Sequence, residues 1–329
     1  MMEKRRIGPF EVEAIGFGCM SLSHAYGLPP PAAQAQAVLQ RAFELGVQLF
    51  DTAALYGFGA NEELVGQALK PFRSKIVLAS KCGMTGVDGK RVIDGRPETL
   101  KRTCEESLRR LQTDVIDLYY LHRWDKKVPI EDSVGALGEL VSAGKIRCVG
   151  LSEVSGSTLR KAHAVHPIAA VQNEYSLWTR NPEFGLLPAC RDTGAALVAF
   201  SPIARGFFGA KIRDAGSFDE KDIRRQMPRF QGESFDANLA LLERYSAIAR
   251  EVGCTDAQLA LAWLLGRDRA VIPIPGTTRI AHLEDNLAAR RVKLDTATVA
   301  RLEKLINAES IAGARYNAAT QAEIDTEDY

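Results

Sequence analysis

The sequence is short of histidine, of paired cysteine, of net charge and of long apolar runs, and each shortage removes a class of function. Five histidines are spread over 329 residues. His122 follows an apolar run, His163 and His166 fall in or after a helical stretch, and His24 and His282 stand alone. The close set of imidazoles that a catalytic zinc requires is therefore missing, and no metal is expected. The six cysteines, at 19, 82, 104, 148, 190 and 254, include no Cys-x-x-Cys pair. They fit a reducing cytoplasm and argue against both structural zinc and a disulfide framework. Lys and Arg number 42 against 41 Asp and Glu, a net charge of +1, which gives no electrostatic case for nucleic acid or a membrane surface. No apolar run approaches the ~20 residues of a membrane-spanning helix. The opening Met1-Met2-Glu3-Lys4-Arg5-Arg6 is charged and no apolar core follows it, unlike a secretion signal.

What is present is ordinary globular composition, 46% hydrophobic and 25% charged, arranged in a repeating rhythm. A short hairpin is expected over 4–13, around Gly8-Pro9. Apolar runs that read as strands follow at 15–18, 47–50, 76–79, 115–121, 146–151, 169–172, 196–200 and 270–274. Helical spacing separates them: 32–45, ended by Gly46; 61–70, ended before Pro71; a helix opened by Pro97; 130–143, ended by Gly144; 157–165; a helix opened by Pro182; one resuming at Leu239; and 279–289. Strands apolar on both faces are expected where helices cover both sides of a sheet. Eight strands alternating with helices predict one parallel (β/α)8 barrel domain over 1–329, with an N-terminal hairpin and an extra C-terminal helix over 294–307. Two segments break the rhythm: an irregular loop over 83–96, and 201–235, a length without periodicity that usually marks function. The acidic tail to Tyr329 is expected to pack loosely.

The chemistry-bearing residues sit just past strand ends, where a parallel barrel gathers its active groups. Asp51 ends the second strand and Tyr56 follows five residues later; Lys81 ends the third strand and His122 the fourth. A phenol with a pKa near ~10 is a poor acid at neutral pH. An ammonium held beside it by a carboxylate is expected to lower that pKa. Near 276–279, Gly276-Thr277-Thr278-Arg279 leads from strand eight into a helix. Free backbone N–H groups, two hydroxyls and a guanidinium there match a phosphate dianion. Neither Gly57-x-Gly59 nor Gly16-x-Gly18 has the spacing of a Rossmann fingerprint.

At these residues the chain resembles the aldo-keto reductases. The match runs through Gly16-Phe17-Gly18-Cys19-Met20, Phe50-Asp51-Thr52-Ala53, Tyr56-Gly57, Ser80-Lys81 and Leu121-His122-Arg123-Trp124-Asp125. It continues through Gly150-Leu151-Ser152, Val171-Gln172-Asn173-Glu174-Tyr175 and Ile274-Pro275-Gly276-Thr277-Thr278-Arg279, so it covers nearly the whole chain with its motifs in order. The resemblance implies an NADPH-dependent reductase of aldehydes or ketones. Tyr56 would be the general acid, Lys81 its modulator, Asp51 the partner of Lys81, and His122 a second donor to the carbonyl oxygen. It implies that Ser152 and Gln172 hold the nicotinamide carboxamide, that Phe200 stacks on the ring, and that Ser201, Pro202, Ile203, Arg205 and Gly206 cover the pyrophosphate. Gly276, Thr277, Thr278 and Arg279 would take the 2′-phosphate, with Asp285 and Asn286 near the adenine. Met20, Tyr26 and Trp124 lie in loops expected to ring the mouth of a carbonyl pocket.

One departure stands out. Where most of these reductases have Asn after the Ser of the Gly-Leu-Ser motif, this chain has Glu153, which cannot donate an amide hydrogen bond. A rival reading is a cofactor-sensing auxiliary subunit, since relatives of this barrel serve channels in that way. The chain begins directly at the hairpin, with no extension expected to plug a partner. A metal-dependent barrel hydrolase is disfavoured by the placement of the histidines. Oligomeric state and natural substrate are not legible in the sequence.

Overall fold

A computed structural model describes residues 4–87 and 90–327. Expectations for Met1 to Glu3, for Asp88 and Gly89, and for the last two residues of the tail lie outside them. The barrel strands are β1 (Phe17–Gly18), β2 (Leu49–Asp51), β3 (Val77–Cys82), β4 (Ile116–Leu121), β5 (Ile146–Ser152), β6 (Ile168–Glu174), β7 (Ala196–Phe200) and β8 (Val271–Pro273). Each pairs in parallel with its sequence neighbour from β1 to β8. Between β1 and β8 the sheet is drawn shut by Gly16 N–H donating to Pro273 O (3.0 Å) and Gly18 N–H to Pro275 O (3.4 Å). The result is a (β/α)8 barrel. Closure needs bare backbone: a Cβ on Gly18 would lie 2.7 Å from Ile274 O, and one on Gly276 2.6 Å from Gly18 O.

Side chains alternate along the strands as the two-residue period requires. Leu49, Val77, Ala79, Leu118, Tyr120, Val198 and Ile272 fill the barrel, joined from below by Ile7 and Val12 of the hairpin Lys4–Ile7/Phe10–Glu13. Phe50, Leu78, Tyr119, Val149, Val171 and Leu197 point outward against the helical ring. That ring comprises α1 (Ala32–Glu44), α2 (Ala60–Leu69), α3 (Pro97–Leu111), α4 (Ile130–Ser142), α5 (Gly156–Val165), α6 (Leu186–Thr193), α7 (Gly232–Val252), α8 (Asp256–Leu265) and α9 (Ile280–Ala288). The extra helix, α10, covers Thr296–Leu305. Both faces of each strand are thus covered, which is why the strands read as continuously apolar.

Three expectations change. The irregular loop over 83–96 contains an antiparallel hairpin, Met84–Val87 with Lys90–Ile93; its strands are too short and polar to show alternation. The segment over 201–235 is a chain of 3₁₀ turns, and α7 starts at Gly232 instead of Leu239. Aromatic packing holds it: Phe207 stacks on Trp178 (4.7 Å), and Phe230 meets the same indole edge-on (5.6 Å). The tail does not pack loosely. It folds back over the C-terminal ends of the strands, where Asp325 N–H donates to Glu153 O (3.0 Å) and Asn181 Nδ2 to Glu327 O (2.6 Å).

Gly18→Ala is expected to destabilise by about 1–3 kcal/mol, because the new methyl group meets backbone that cannot retreat. Gly135→Ala, on a helix with nothing within 4 Å of the new atom, should be neutral or stabilising by up to about 1 kcal/mol. Urea unfolding of the two variants checks this; equal effects would remove the closure argument.

Candidate active site

At the C-terminal end of the barrel a buried chain of polar contacts ties three strands together. Lys81, wholly buried at the end of β3, forms an ion pair with Asp51 Oδ1 at the end of β2. Its Nζ also donates to Thr52 O (2.7 Å) and to the Tyr56 phenol oxygen (3.2 Å). The other Asp51 oxygen, Oδ2, accepts from Gln172 Nε2 on β6 (2.7 Å). Tyr56 is brought over Lys81 by a tight turn in which Gly57, Phe58 and Gly59 all have positive φ. The His122 ring stands edge-on to that of Tyr56, with centroids 5.8 Å apart. Neither His122 ring nitrogen is bonded to a described residue, and Nδ1 is buried without a partner.

Burial works against the Lys81 ammonium, but attraction to Asp51 and Tyr56 outweighs it and holds the lysine pKa above its ordinary value. Burial likewise pushes the Tyr56 phenol up; Lys81 pulls it down but does not win, in part because Asp51 opposes it. The expectation of a lowered tyrosine pKa is therefore corrected: the phenol stays protonated through neutral pH. His122 is driven well below its usual value by burial and then by the Arg123 charge, so it is a neutral imidazole. The arrangement offers a phenol O–H and an uncharged imidazole facing one space.

That space is a cleft of about 1090 Å³, large for a small-molecule pocket. Asp51, Tyr56, His122, Ser152, Gln172, Phe200, Ser201, Pro202, Ile203, Arg205, Gly206, Gly276, Thr277, Thr278, Arg279, Met20 and Tyr26 all line it. Lys81 lies beneath, reached through Tyr56. Trp124 is not in the lining: its indole N–H donates to Val128 O (2.9 Å). Asp285 is turned to Thr255 and to Gln258 Nε2 (2.7 Å), and Asn286 is buried outside the cleft. The donors suit an elongated polyanion. Arg279 is exposed and bonded through its side chain to no described residue, while its N–H donates to Thr277 Oγ1 (3.1 Å). Gln172, with its amide nitrogen committed to Asp51, keeps its carbonyl oxygen for an amide donor. Ser152 Oγ accepts from Arg123 Nη1 (3.3 Å) and retains its own proton to donate. These residues fit a nicotinamide dinucleotide.

A second buried network sits beside the first. Glu153 and Glu174, at the ends of adjacent strands β5 and β6, are held by two guanidinium groups, of which they share one. Arg315 of the tail donates to Glu153 Oε1 (2.7 Å) and Glu174 Oε2 (3.1 Å); Arg205 donates to Glu174 Oε2 (2.6 Å) and the Tyr316 phenol oxygen (3.0 Å). Glu153 Oε1 also accepts the Glu174 N–H (2.9 Å). Glu153 thus anchors the tail and does not line the cleft. Arg205 lines the cleft, yet its Nη2 is committed to Glu174 and Tyr316. Thr52 and Arg315 escaped sequence reasoning. The first acts through its backbone, and the second lies 141 and 162 residues from its two partners with no motif around it.

The model of the aldo/keto reductase family matches residues 14–307. The chain is 45% identical over 310 residues to "Probable aldo-keto reductase 1" of Glycine max, spanning 93% of this chain and 89% of that protein. Among solved structures it is similar to the glycerol dehydrogenase of Gluconobacter oxydans, with a TM-score of 0.83 at 26% identity, over 96% of this chain and 98% of that one. It is also similar to an aldo/keto reductase of Klebsiella pneumoniae in complex with NADP and acetate, with a TM-score of 0.72 at 28% identity, over 96% and 99%.

Burial alone would raise the Glu174 pKa, but Arg205, Arg315 and Arg229 hold it down at about 2. Its contribution to stability is therefore complete above the unfolded value of about 4.5 and is lost as pH falls from there through about 2. Glu174→Gln is expected to cost about 3–5 kcal/mol at pH 7, the effect of leaving buried charge unbalanced. It should also flatten the decline of melting temperature between pH 5 and pH 3, roughly the window set by that shift. Melts of wild type and variant across that range decide it; parallel curves would contradict the assignment.

Proposed function

The chain belongs to the aldo/keto reductase family, and from that premise we propose that it reduces aldehydes or ketones to alcohols with NADPH, Tyr56 acting as the general acid. Membership makes it an NAD(P)H-dependent oxidoreductase; the carbonyl substrate, the choice of NADPH and the residue roles are the proposal. Bound NADPH would supply the hydride that the carbonyl carbon accepts. The observation that carries the reading is the chain Gln172–Asp51–Lys81–Tyr56, which ends in a phenol opening into the cleft beside His122.

The roles follow from that order. Asp51 keeps Lys81 charged and in place. Lys81 donates to the Tyr56 oxygen and so favours the phenolate left when its proton goes to the carbonyl oxygen. His122, neutral and with its ring nitrogens unbonded, supplies a second hydrogen bond to that oxygen as charge develops on it. Ser152 and Gln172 would hold the carboxamide, Phe200 would lie against the ring, and the 201–206 and 276–279 segments would hold the phosphates. The proposal takes residues 1–329 as one barrel domain. It places the protein in the cytoplasm, which its free cysteines suit, five buried and Cys254 half-buried. No helix among the described residues is long and apolar enough to cross a membrane.

Tyr56→Phe should lower the NADPH-dependent reduction of a responsive carbonyl by roughly 10²–10⁴-fold while cofactor affinity stays within a few-fold. Wild-type turnover in this variant would remove Tyr56 from the role. Because burial holds the phenol above its ordinary pKa of 10.0, the reduction rate should stay level through neutral pH and fall only beyond that value. A decline between pH 7 and pH 9 would contradict this. Arg279→Ala should weaken NADPH binding by about 10–150-fold and leave NADH nearly untouched. Fluorescence titration of both cofactors is the check, and equal losses would mean that Arg279 does not read the 2′-phosphate.

A further inference from the structure

Arg123 follows His122 directly at the end of β4, is only 8% exposed, and lines the same cleft as Tyr56 and His122. Its contacts on the protein are with neutral oxygens: Nη1 donates to His122 O (2.7 Å) and Ser152 Oγ (3.3 Å). Nε is buried with no acceptor, and among the described residues Nη1 alone makes hydrogen bonds, so Nη2 has none. The acids around it are engaged elsewhere. Asp51 is bound to Lys81 and Gln172. Asp125 accepts the N–H groups of Gly95 (3.3 Å) and Lys127 (3.0 Å). Glu323 holds Arg91, another guanidinium of the cleft lining (2.5 and 2.6 Å). Arg205 and Arg315, by contrast, are balanced by Glu174 and Glu153.

A buried guanidinium without a carboxylate is costly, and an anion that enters beside it removes that cost. Nε and Nη2 form the edge of the guanidinium that receives a carboxylate side-on, through two parallel N–H bonds. That edge is the part of Arg123 left without acceptors; Nε is buried, so a carboxylate that meets Nη2 from the cleft must displace the cover over Nε to complete the pair. We propose that Arg123 is the recognition point for a carboxylate on the carbonyl substrate, so that the cleft selects small oxo acids over neutral aldehydes and ketones. This rests on the reductase reading above and names the substrate class for the same site. With His122 and Tyr56 taking the carbonyl oxygen and Arg123 adjoining His122, the carboxylate lies a short chain away from the reacting carbon. Met20, Leu55 and Met84 leave an apolar lining for the methylenes between them. The influence of the Arg123 charge on both His122 and Tyr56 agrees with its closeness to the reacting groups.

The test uses a matched pair, 4-oxobutanoate and butanal, with NADPH and the whole chain. Wild type should prefer the oxo acid in kcat/KM by at least about 10-fold. Arg123→Met should reduce that preference ratio by about 10–100-fold, the range of a lost charge-assisted pair. Any general loss of activity cancels in the ratio. Arg123→Lys, which keeps the charge without the planar fork, should retain part of the preference. A ratio unchanged in the Met variant, or no preference in wild type, overturns the proposal. Calorimetric titration with butanoate, with and without NADP⁺, gives a second readout. Binding weakened at least about 10-fold in Arg123→Met supports the proposal, and equal binding overturns it. If wild type reduces neither aldehyde, the reductase reading fails by itself and the butanoate titration still decides the anion site.

Discussion

The ion pair between Asp51 and Lys81 is the constraint from which the C-terminal face of the barrel follows. Both groups are removed from water, where a charge costs several kcal/mol unless every donor and acceptor around it is satisfied. The ammonium has three hydrogens and three acceptors: Asp51, the Thr52 carbonyl and the Tyr56 phenol. The carboxylate gives one oxygen to Lys81 and the other to Gln172. Tyr56 therefore sits where it does because the third hydrogen of a buried ammonium requires an acceptor. Residues 57–59 take left-handed backbone to put it there, Phe58 included. The same contacts that satisfy the pair leave the phenol as its outlet to the cleft.

The second network obeys the same rule with two charges of each sign. Parallel pairing sets Ser152 beside Gln172, which places Glu153 and Glu174 at neighbouring strand ends. Two carboxylates so close are tolerated because Arg205 and Arg315 lie between and beside them. Arg315 comes from the tail and Arg205 from the segment after β7, so one charge cluster fastens two long connections to the rim of the barrel. Tyr316, on the tail, lines the cleft and meets Arg205. The wall opposite Tyr56 is thus set by electrostatics at the sheet edge as much as by apolar packing around Trp178 and Phe207. Arg123 is the exception to this balance: beside two neutralised clusters it carries a charge that no described carboxylate answers.

Much of this could be read in advance because it is local. The two-residue period of the strands, helical spacing, and Gly or Pro at helix ends follow from backbone sterics and burial within a dozen residues. They determined eight strands, their order, and the strand ends that carry Asp51, Lys81 and His122. What the sequence could not determine depends on groups far apart in the chain meeting in a medium of low polarity. Lys81 and Asp51 bear on Tyr56 with opposite effect, and burial exceeds them, so the direction of the phenol's shift belongs to the packed structure. Glu153 reads in the sequence as a missing amide, whereas in the fold it is the counter-ion of Arg315, some 160 residues away. The tail looked unstructured because its partners are not its neighbours: only the closed barrel brings Arg315 to Glu153 and Glu174, Glu323 to Arg91, and Asp325 to Ser155 and Thr158.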